Sequence, residues 1–149
     1  MRLAKRGGVD NTSPQCRILL VEDDPMVSRS VDRLLRARTY DLMRVASVRA
    51  ARQALDRHMF RVVISDARFS DGSVADVVDA VGDGPEAVLL LADDGDPAPP
   101  ARGARVHAVS KRTTAERLID AVRAACGCDR CLGAVIASAA DLALAVAAR

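Results

Sequence analysis

Three acidic side chains and one lysine follow apolar runs in this sequence, in an arrangement that could bind a phosphoryl group. Glu22 and Asp23 come directly after four aliphatic residues. Asp66 ends a second apolar run, and Lys111 follows a shorter one further along. Clustered carboxylates raise each other's pKa unless a cation lies among them, and an all-oxygen set suits Mg²⁺. Beside a metal ion and an ammonium group, a carboxylate can accept a phosphoryl group and form an acyl phosphate.

The elements that must position these side chains alternate between strands and helices. Continuous apolar runs predict buried parallel strands at 18–21, 62–65 and 88–91, with shorter strands at 42–46 and 106–109. This alternation predicts an α/β fold with a doubly wound, parallel five-stranded sheet. The carboxyl ends of the strands share one edge, where such sheets bind ligands, so the acids and the lysine should converge there.

Capping residues mark where the helices begin. Asp24 stands at an N-cap position with a proline behind it, and Ser47 and Thr114 open two further helices. A short third helix is predicted over 74–81, behind a turn that Asp71 helps to form. We therefore interpret Asp24 as a helix cap rather than a metal ligand, and Asp71 as a turn residue.

The composition fits one globular domain with additions at both ends. We expect a disordered tail over 1–15, the domain itself over 16–126, and a cysteine-containing turn with an apolar helix over 127–149. A net charge of +2 is too small to indicate a nucleic-acid partner, and one Tyr, two Phe and no Trp leave little to stack on bases. The basic start lacks an apolar signal core, which predicts a cytoplasmic protein.

From about Arg17 to Ala125 the sequence resembles the receiver domain of two-component response regulators. The segments that carry the resemblance are ILLVEDDP, VVISD with the following SDG, and SK. The resemblance implies a flavodoxin-like fold of the receiver type. It also implies that Asp66 is the phosphoacceptor and that Lys111 pairs with the phosphoryl group.

The resemblance further implies a cofactor and partners. Mg²⁺ would be held by Asp23, by Asp66 and by the backbone carbonyl of Arg68, with Glu22 reaching the ion through water. The implied partner is a histidine kinase or a phosphotransfer protein in a phosphorelay. Output would be protein–protein interaction, and no enzymatic activity, nucleic acid or membrane is expected.

The positions that transmit the signal in the family depart from its pattern. The switch hydroxyl at the end of the fourth strand falls on Ala92, and the partner aromatic of the fifth strand falls on Ala108. The fourth helix should lie between Ala92 and Val106, where Pro97, Pro99 and Pro100 predict a loop instead. A pseudo-receiver scaffold that binds a partner without phosphorylation is therefore a second hypothesis.

Two smaller hypotheses concern the crevice itself. A Mg²⁺-dependent phosphatase with an aspartyl nucleophile is a third interpretation of the chain. Such enzymes carry a second acid two residues after a nucleophile on the first strand, and Pro25 stands at that position after Asp23. Separately, Arg68 and Asp94 flank the crevice in the family pattern, and a salt bridge between them could slow hydrolysis of the acyl phosphate.

The cysteines gather near the end of the chain. Cys126, Cys128 and Cys131 form a C-x-C-x-x-C cluster, while Cys16 begins the first strand and can meet Cys126 at the bottom of the sheet. Zinc is one interpretation, but this spacing is not a standard one, so reduced thiols are expected. The apolar segment 132–148 is shorter than the roughly 20 residues of a membrane span, so it should dock on the domain or form a homodimer.

Overall fold

Long strands alternate with helices in the computed structural model, which describes residues 16–84, 87–93, 95–96 and 106–127. The elements are β1 (Arg17–Val21), α1 (Pro25–Arg36), β2 (Asp41–Val45), α2 (Val48–Arg57), β3 (Val62–Asp66), β4 (Arg68–Phe69), β5 (Gly72–Ser73), α3 (Val74–Val81), β6 (Ala87–Ala92), β7 (Val106–Ser110) and α4 (Ala115–Cys126). The predicted strands and helices are therefore confirmed, with ends that differ by a residue or so. The strand expected at 42–46, for example, is β2.

Five strands form one parallel sheet in the order β2-β1-β3-β6-β7. Their alternate side chains enter two separate cores, one on each face. Leu19 and Val21 pack with α2 and α3, whereas Ile18 and Leu20 pack with α1 and α4. A strand covered on both faces needs apolar residues throughout, which is why β1 reads as a continuous apolar run. The α/β fold with a doubly wound parallel sheet is confirmed.

The helix caps lie where the sequence places them. The Asp24 carboxylate accepts hydrogen bonds from the amides of Met26 and Val27, at 2.8 and 3.4 Å. The hydroxyl groups of Ser47 and Thr114 cap α2 and α4 in the same way. Each cap satisfies amides that the first helical turn leaves unpaired. The interpretation of Asp24 as a helix cap is confirmed.

The turn behind β3 contains more structure than the sequence indicates. β4 and β5 pair there as a small antiparallel hairpin, too short to produce a periodic pattern. Asp71 at its tip accepts hydrogen bonds from the amides of Val48 and Arg49, both at 3.0 Å. It therefore caps α2 from a distant part of the chain. Gly72 has a φ of 156°, which L side chains rarely adopt, and a Cβ there would lie 3.1 Å from Cγ2 of Val48, so this position favours glycine.

A disulfide joins Cys16 and Cys126, whose Cα atoms lie 6.9 Å apart. The prediction that these two residues meet at the bottom of the sheet is confirmed, but the expectation of reduced thiols is wrong for this pair. That expectation rested on the cellular compartment and not on the distance between the sulfur atoms. Cys128 and Cys131 lie outside the described residues, and so does any zinc site that would include them.

Three other expectations fall on parts of the chain that the structure does not describe. They are the disordered tail over 1–15, most of the proline-rich loop predicted between Ala92 and Val106 in place of a fourth helix, and the apolar C-terminal helix. Between residues 16 and 127, no helix in the described ranges is long and apolar enough to cross a membrane.

Candidate functional site

Three carboxylates converge where β1 and β3 end side by side. Val21 and Ser65 are partners in register, so Glu22 and Asp66 leave the sheet at the same level. Ligand oxygens of Glu22, Asp23 and Asp66 all lie within 4.8 Å of one another. This spacing allows one small cation to be shared among them, directly or through water. The structure thus brings together the three acids that the sequence predicts to meet.

Lys111 closes the cluster from the loop behind the edge strand β7, which β6 separates from β3. Its Nζ lies 2.8 Å from Oδ1 of Asp66 and 3.7 Å from Oδ2 of Asp93. Its backbone N–H donates to the carbonyl of Ala92 at 2.9 Å, which fixes the loop behind β7 against the end of β6. Partial burial alone would lower the pKa of Lys111. The hydrogen bond to Asp66 and the surrounding negative charges outweigh burial and raise the pKa, so the ammonium stays charged.

Asp66 is held at one of its two oxygens. Oδ1 accepts the lysine and also the backbone N–H of Ala67, at 2.7 Å. Among the described residues, both hydrogen-bond donors to the Asp66 carboxylate bind this oxygen. Oδ2 is therefore the oxygen open to a ligand, while the two donors fix the plane of the carboxylate.

Glu22 is the most buried member of the cluster, with 2% of its surface exposed. Oε1 accepts the backbone N–H of Asp24 at 3.1 Å, whereas Oε2 is buried without a hydrogen-bond partner among the described residues. The pKa of Glu22 is raised to about 7, chiefly by burial and also by the negative charge of Asp66, while the Asp24 amide and Lys111 act in the opposite direction. Buried polar atoms without a partner are rare in proteins and often mark the site of an ion.

The residues of this cluster fit Mg²⁺. All the donors are oxygens, the three carboxylates are close enough to share one ion, and one of their oxygens lacks a partner. The predicted fourth ligand, the carbonyl of Arg68, belongs to β4, two residues beyond Asp66. Its role as a ligand stays a prediction.

A second set of acidic side chains lies at the mouth of the crevice, and the sequence did not single it out. Nη2 of Arg68 lies 3.6 Å from Oδ1 of Asp96, whose side chain is only 14% exposed. Oδ2 of Asp96 accepts the N–H of Asp93 at 2.7 Å, and Asp93 in turn contacts Lys111. Asp94, the expected partner of Arg68, lies outside the described residues. The run of acids after β6 was the available signal, but only the fold shows which of them face the crevice.

The two predicted switch positions lie on the neighbouring strands β6 and β7. Ala92 ends β6 opposite Ser110 of β7, and Ala108 of β7 lies opposite Leu90 of β6. A methyl group at either position can neither donate nor accept a hydrogen bond. The carbonyl of Ala92 accepts the N–H of Lys111. Their assignment as degenerate switch positions stays a prediction.

The fold of this chain is similar to that of solved structures, whereas no protein-family model and no curated protein matches the chain. The signal receiver domain of a protein described as a LuxO repressor, from Vibrio parahaemolyticus, is 26% identical, with a TM-score of 0.68. The match covers 82% of this chain and 97% of that one. A chemotaxis response regulator of Vibrio cholerae is 21% identical, with a TM-score of 0.64, over 74% of this chain and 98% of its own.

A third solved structure bears on the metal. The receiver domain of a sensor histidine kinase from Pseudomonas aeruginosa PAO1 is 19% identical, with a TM-score of 0.68. The match covers 76% of this chain and 99% of that one, and that structure has a magnesium ion coordinated in its active site cleft. The acidic cluster described above resembles such a site.

Proposed function

We propose that this chain, which has the fold of a response-regulator receiver domain, accepts a phosphoryl group on Asp66 in a two-component phosphorelay. One observation carries the proposal above all others. The Lys111 ammonium lies 2.8 Å from Oδ1 of Asp66, inside a cluster of acids at the carboxyl edge of the sheet. A carboxylate held this way is oriented, and its neighbouring cation can bind the incoming phosphoryl oxygens.

The transfer step follows from this geometry. Oδ2 of Asp66 attacks the phosphorus atom of the donor, and a new O–P bond forms in line with the bond that breaks. The leaving group, which is a histidine nitrogen or the carboxylate oxygen of acetyl phosphate, departs with the bonding electrons. Lys111 stays protonated throughout because its raised pKa keeps it charged, and it donates to an equatorial phosphoryl oxygen.

The remaining acids are proposed to hold the cofactor. Glu22 and Asp23, with the carbonyl of Arg68, would bind Mg²⁺ beside Asp66. When bound, Mg²⁺ supplies the positive charge that offsets the negative charge of the phosphoryl oxygens. Without a cation, three carboxylates against a single lysine leave the cluster negative, and it repels an anionic donor.

Partners follow from the same chemistry. A phosphohistidine donor, on a histidine kinase or a phosphotransfer protein, is the proposed source of the phosphoryl group. The similarity to the receiver domain of a sensor histidine kinase supports this class of partner. Output is proposed to be protein–protein interaction.

A second candidate function is favoured by the two alanines. Because Ala92 and Ala108 cannot form the hydrogen bond that links phosphate to the far face of a receiver, the chain could bind its partner in one constant state. The phosphatase hypothesis is less well supported. Asp66 ends β3, whereas such enzymes carry their nucleophile on the first strand.

Incubation with acetyl phosphate and Mg²⁺, followed by intact-protein mass, tests the proposal. Wild type should gain the mass of one phosphoryl group, and hydroxylamine, which cleaves acyl phosphates, should remove it. Asp66→Asn should gain nothing. Asp24→Asn is the matched control, because asparagine still caps α1 and the acceptor is untouched. A chain that gains no mass, from acetyl phosphate or from a kinase, would be the pseudo-receiver.

A further inference from the structure

A shallow apolar groove lies between α1 and α4, with a cavity volume of about 200 Å³. Val27, Val31 and Leu34 line one wall, and Ala115 and Leu118 line the other. Its upper end reaches the loop that carries Lys111. Lys111 lies between this groove and the acidic cluster, but the lining of the groove is mostly hydrocarbon.

The described chain ends below this groove, since Leu118 is the last α4 residue in its lining and lies about two turns before Cys126. Both α1 and α4 begin at the carboxyl edge of the sheet and run towards the opposite edge, where α4 ends at Cys126. The disulfide fastens that end to Cys16, just before β1. Gly127 then ends the helix in the left-handed conformation, with φ 59° and ψ 13°. Such a C-cap turns the following chain away from the helix axis.

The segment that follows has the composition of a buried helix. In 132–148, every residue is apolar or glycine apart from Ser138 and Asp141. Alanine and leucine, which favour helices, make up most of it. As a helix, 132–148 would be about 25 Å long, against about 18 Å for α1. It is long enough to run back along the whole groove, and its small side chains suit a shallow one.

The charged residues would also be complementary in this arrangement. A helix that starts at Leu132 near the foot of the groove brings Asp141 about 13 Å up. Arg29 of α1 lies about 10 Å above the end of its helix, and Arg117 of α4 about 13 Å above the end of its own. Both arginines are exposed. The single acid of the segment would therefore lie level with cations on the two helices that form the groove.

We propose that residues 132–148 form a helix that docks in the groove between α1 and α4 of the same molecule, antiparallel to both. The docked helix covers the partly buried side chains of Val27 and Leu34 and contacts the loop behind β7. The inference does not depend on phosphorylation of Asp66. Exchange of the segment between two copies of the chain is the competing arrangement.

Site-specific photo-cross-linking of the full chain tests this placement. A photoreactive residue is introduced at Leu34, near the foot of the groove, or at Ser30, which is exposed and lies one turn higher. Gln53, exposed on α2 across the sheet, is the matched control. Trypsin releases 131–149 as one peptide, since Arg130 precedes it and no internal Lys or Arg follows before Arg149.

The expected result is a link to peptide 131–149 within monomers from both groove positions and none from Gln53. Ser30 should link to residues further along the segment than Leu34 does, because the helix runs upwards. Ser30 also keeps the test valid if the change at Leu34 disturbs folding, since its side chain is exposed. The proposal would be overturned if Ser30 gave no link to this peptide, or if Gln53 gave equal links. It would also be overturned if the links were found only in dimers, which would assign the groove to a second copy of the chain.

Discussion

Replacement of Lys111 by methionine removes the only ammonium that contacts the acidic cluster in the described residues. The Nζ–Oδ1 contact with Asp66 is 2.8 Å, between side chains that are 22% and 13% exposed. A hydrogen bond to a charged group contributes about 1.5–3 kcal/mol, and breaking a fully buried ion pair costs about 3–5 kcal/mol. Because this pair is partly exposed, we expect Lys111→Met to lower the free energy of unfolding by about 2 kcal/mol.

Thermal unfolding with and without Mg²⁺ measures this effect. In EDTA, a loss of about 2 kcal/mol in a domain of this size lowers Tm by roughly 8 °C. In Mg²⁺ the difference from wild type should narrow, because the more negative cluster of Lys111→Met binds the cation more tightly and gains more stability from it. Lys111→Arg should lose less in EDTA because it keeps the charge. Arg38→Met, which removes an exposed cation from the turn behind α1, is the matched control and should leave Tm unchanged.

A Lys111→Met protein that is as stable as wild type in EDTA would contradict this prediction. So would a difference in Tm that Mg²⁺ leaves unchanged. Either result would mean that the ammonium does not offset the repulsion among Glu22, Asp23 and Asp66. The cluster would then lack the electrostatic property on which the proposed chemistry depends.

Three further predictions concern other contacts. The amides of α2 hold the pKa of Asp71 below its ordinary value. Asp71→Ala should therefore be less stable than wild type near neutral pH, and the difference in urea midpoint should disappear as the pH falls through that lowered pKa. If the salt bridge of Arg68 with Asp96 hinders the hydrolytic water, Arg68→Ala should shorten the half-life of the phosphorylated protein, and an unchanged half-life would exclude this role. Reductant should lower the Tm of wild type, because the disulfide between Cys16 and Cys126 closes a long loop, whereas the Tm of Cys16→Ser should not respond.

The sheet and its caps could be predicted because their signals are local. A strand segment that is buried on both faces must be apolar throughout, as residues 18–21 of β1 are, and a helix start needs an acceptor such as Asp24 or Thr114. Convergence of Glu22 and Asp66 then follows from parallel strand topology alone. The meeting of these two carboxylates could therefore be predicted from the sequence.

The contacts that the sequence did not predict join distant parts of the chain. Asp71 caps a helix that begins well before it, and Asp96 forms a salt bridge with Arg68. The disulfide likewise depends on the distance between Cys16 and Cys126 and not on their spacing in sequence. No local pattern encodes such pairings, because they are set by how whole elements pack.

Intact-protein mass after incubation with acetyl phosphate and Mg²⁺ measures whether Asp66 accepts a phosphoryl group. Wild type is predicted to gain one phosphoryl group, and Asp66→Asn none. An equal gain in both proteins would place the phosphoryl group on another residue, and no gain in wild type from acetyl phosphate or a kinase would contradict the proposed function.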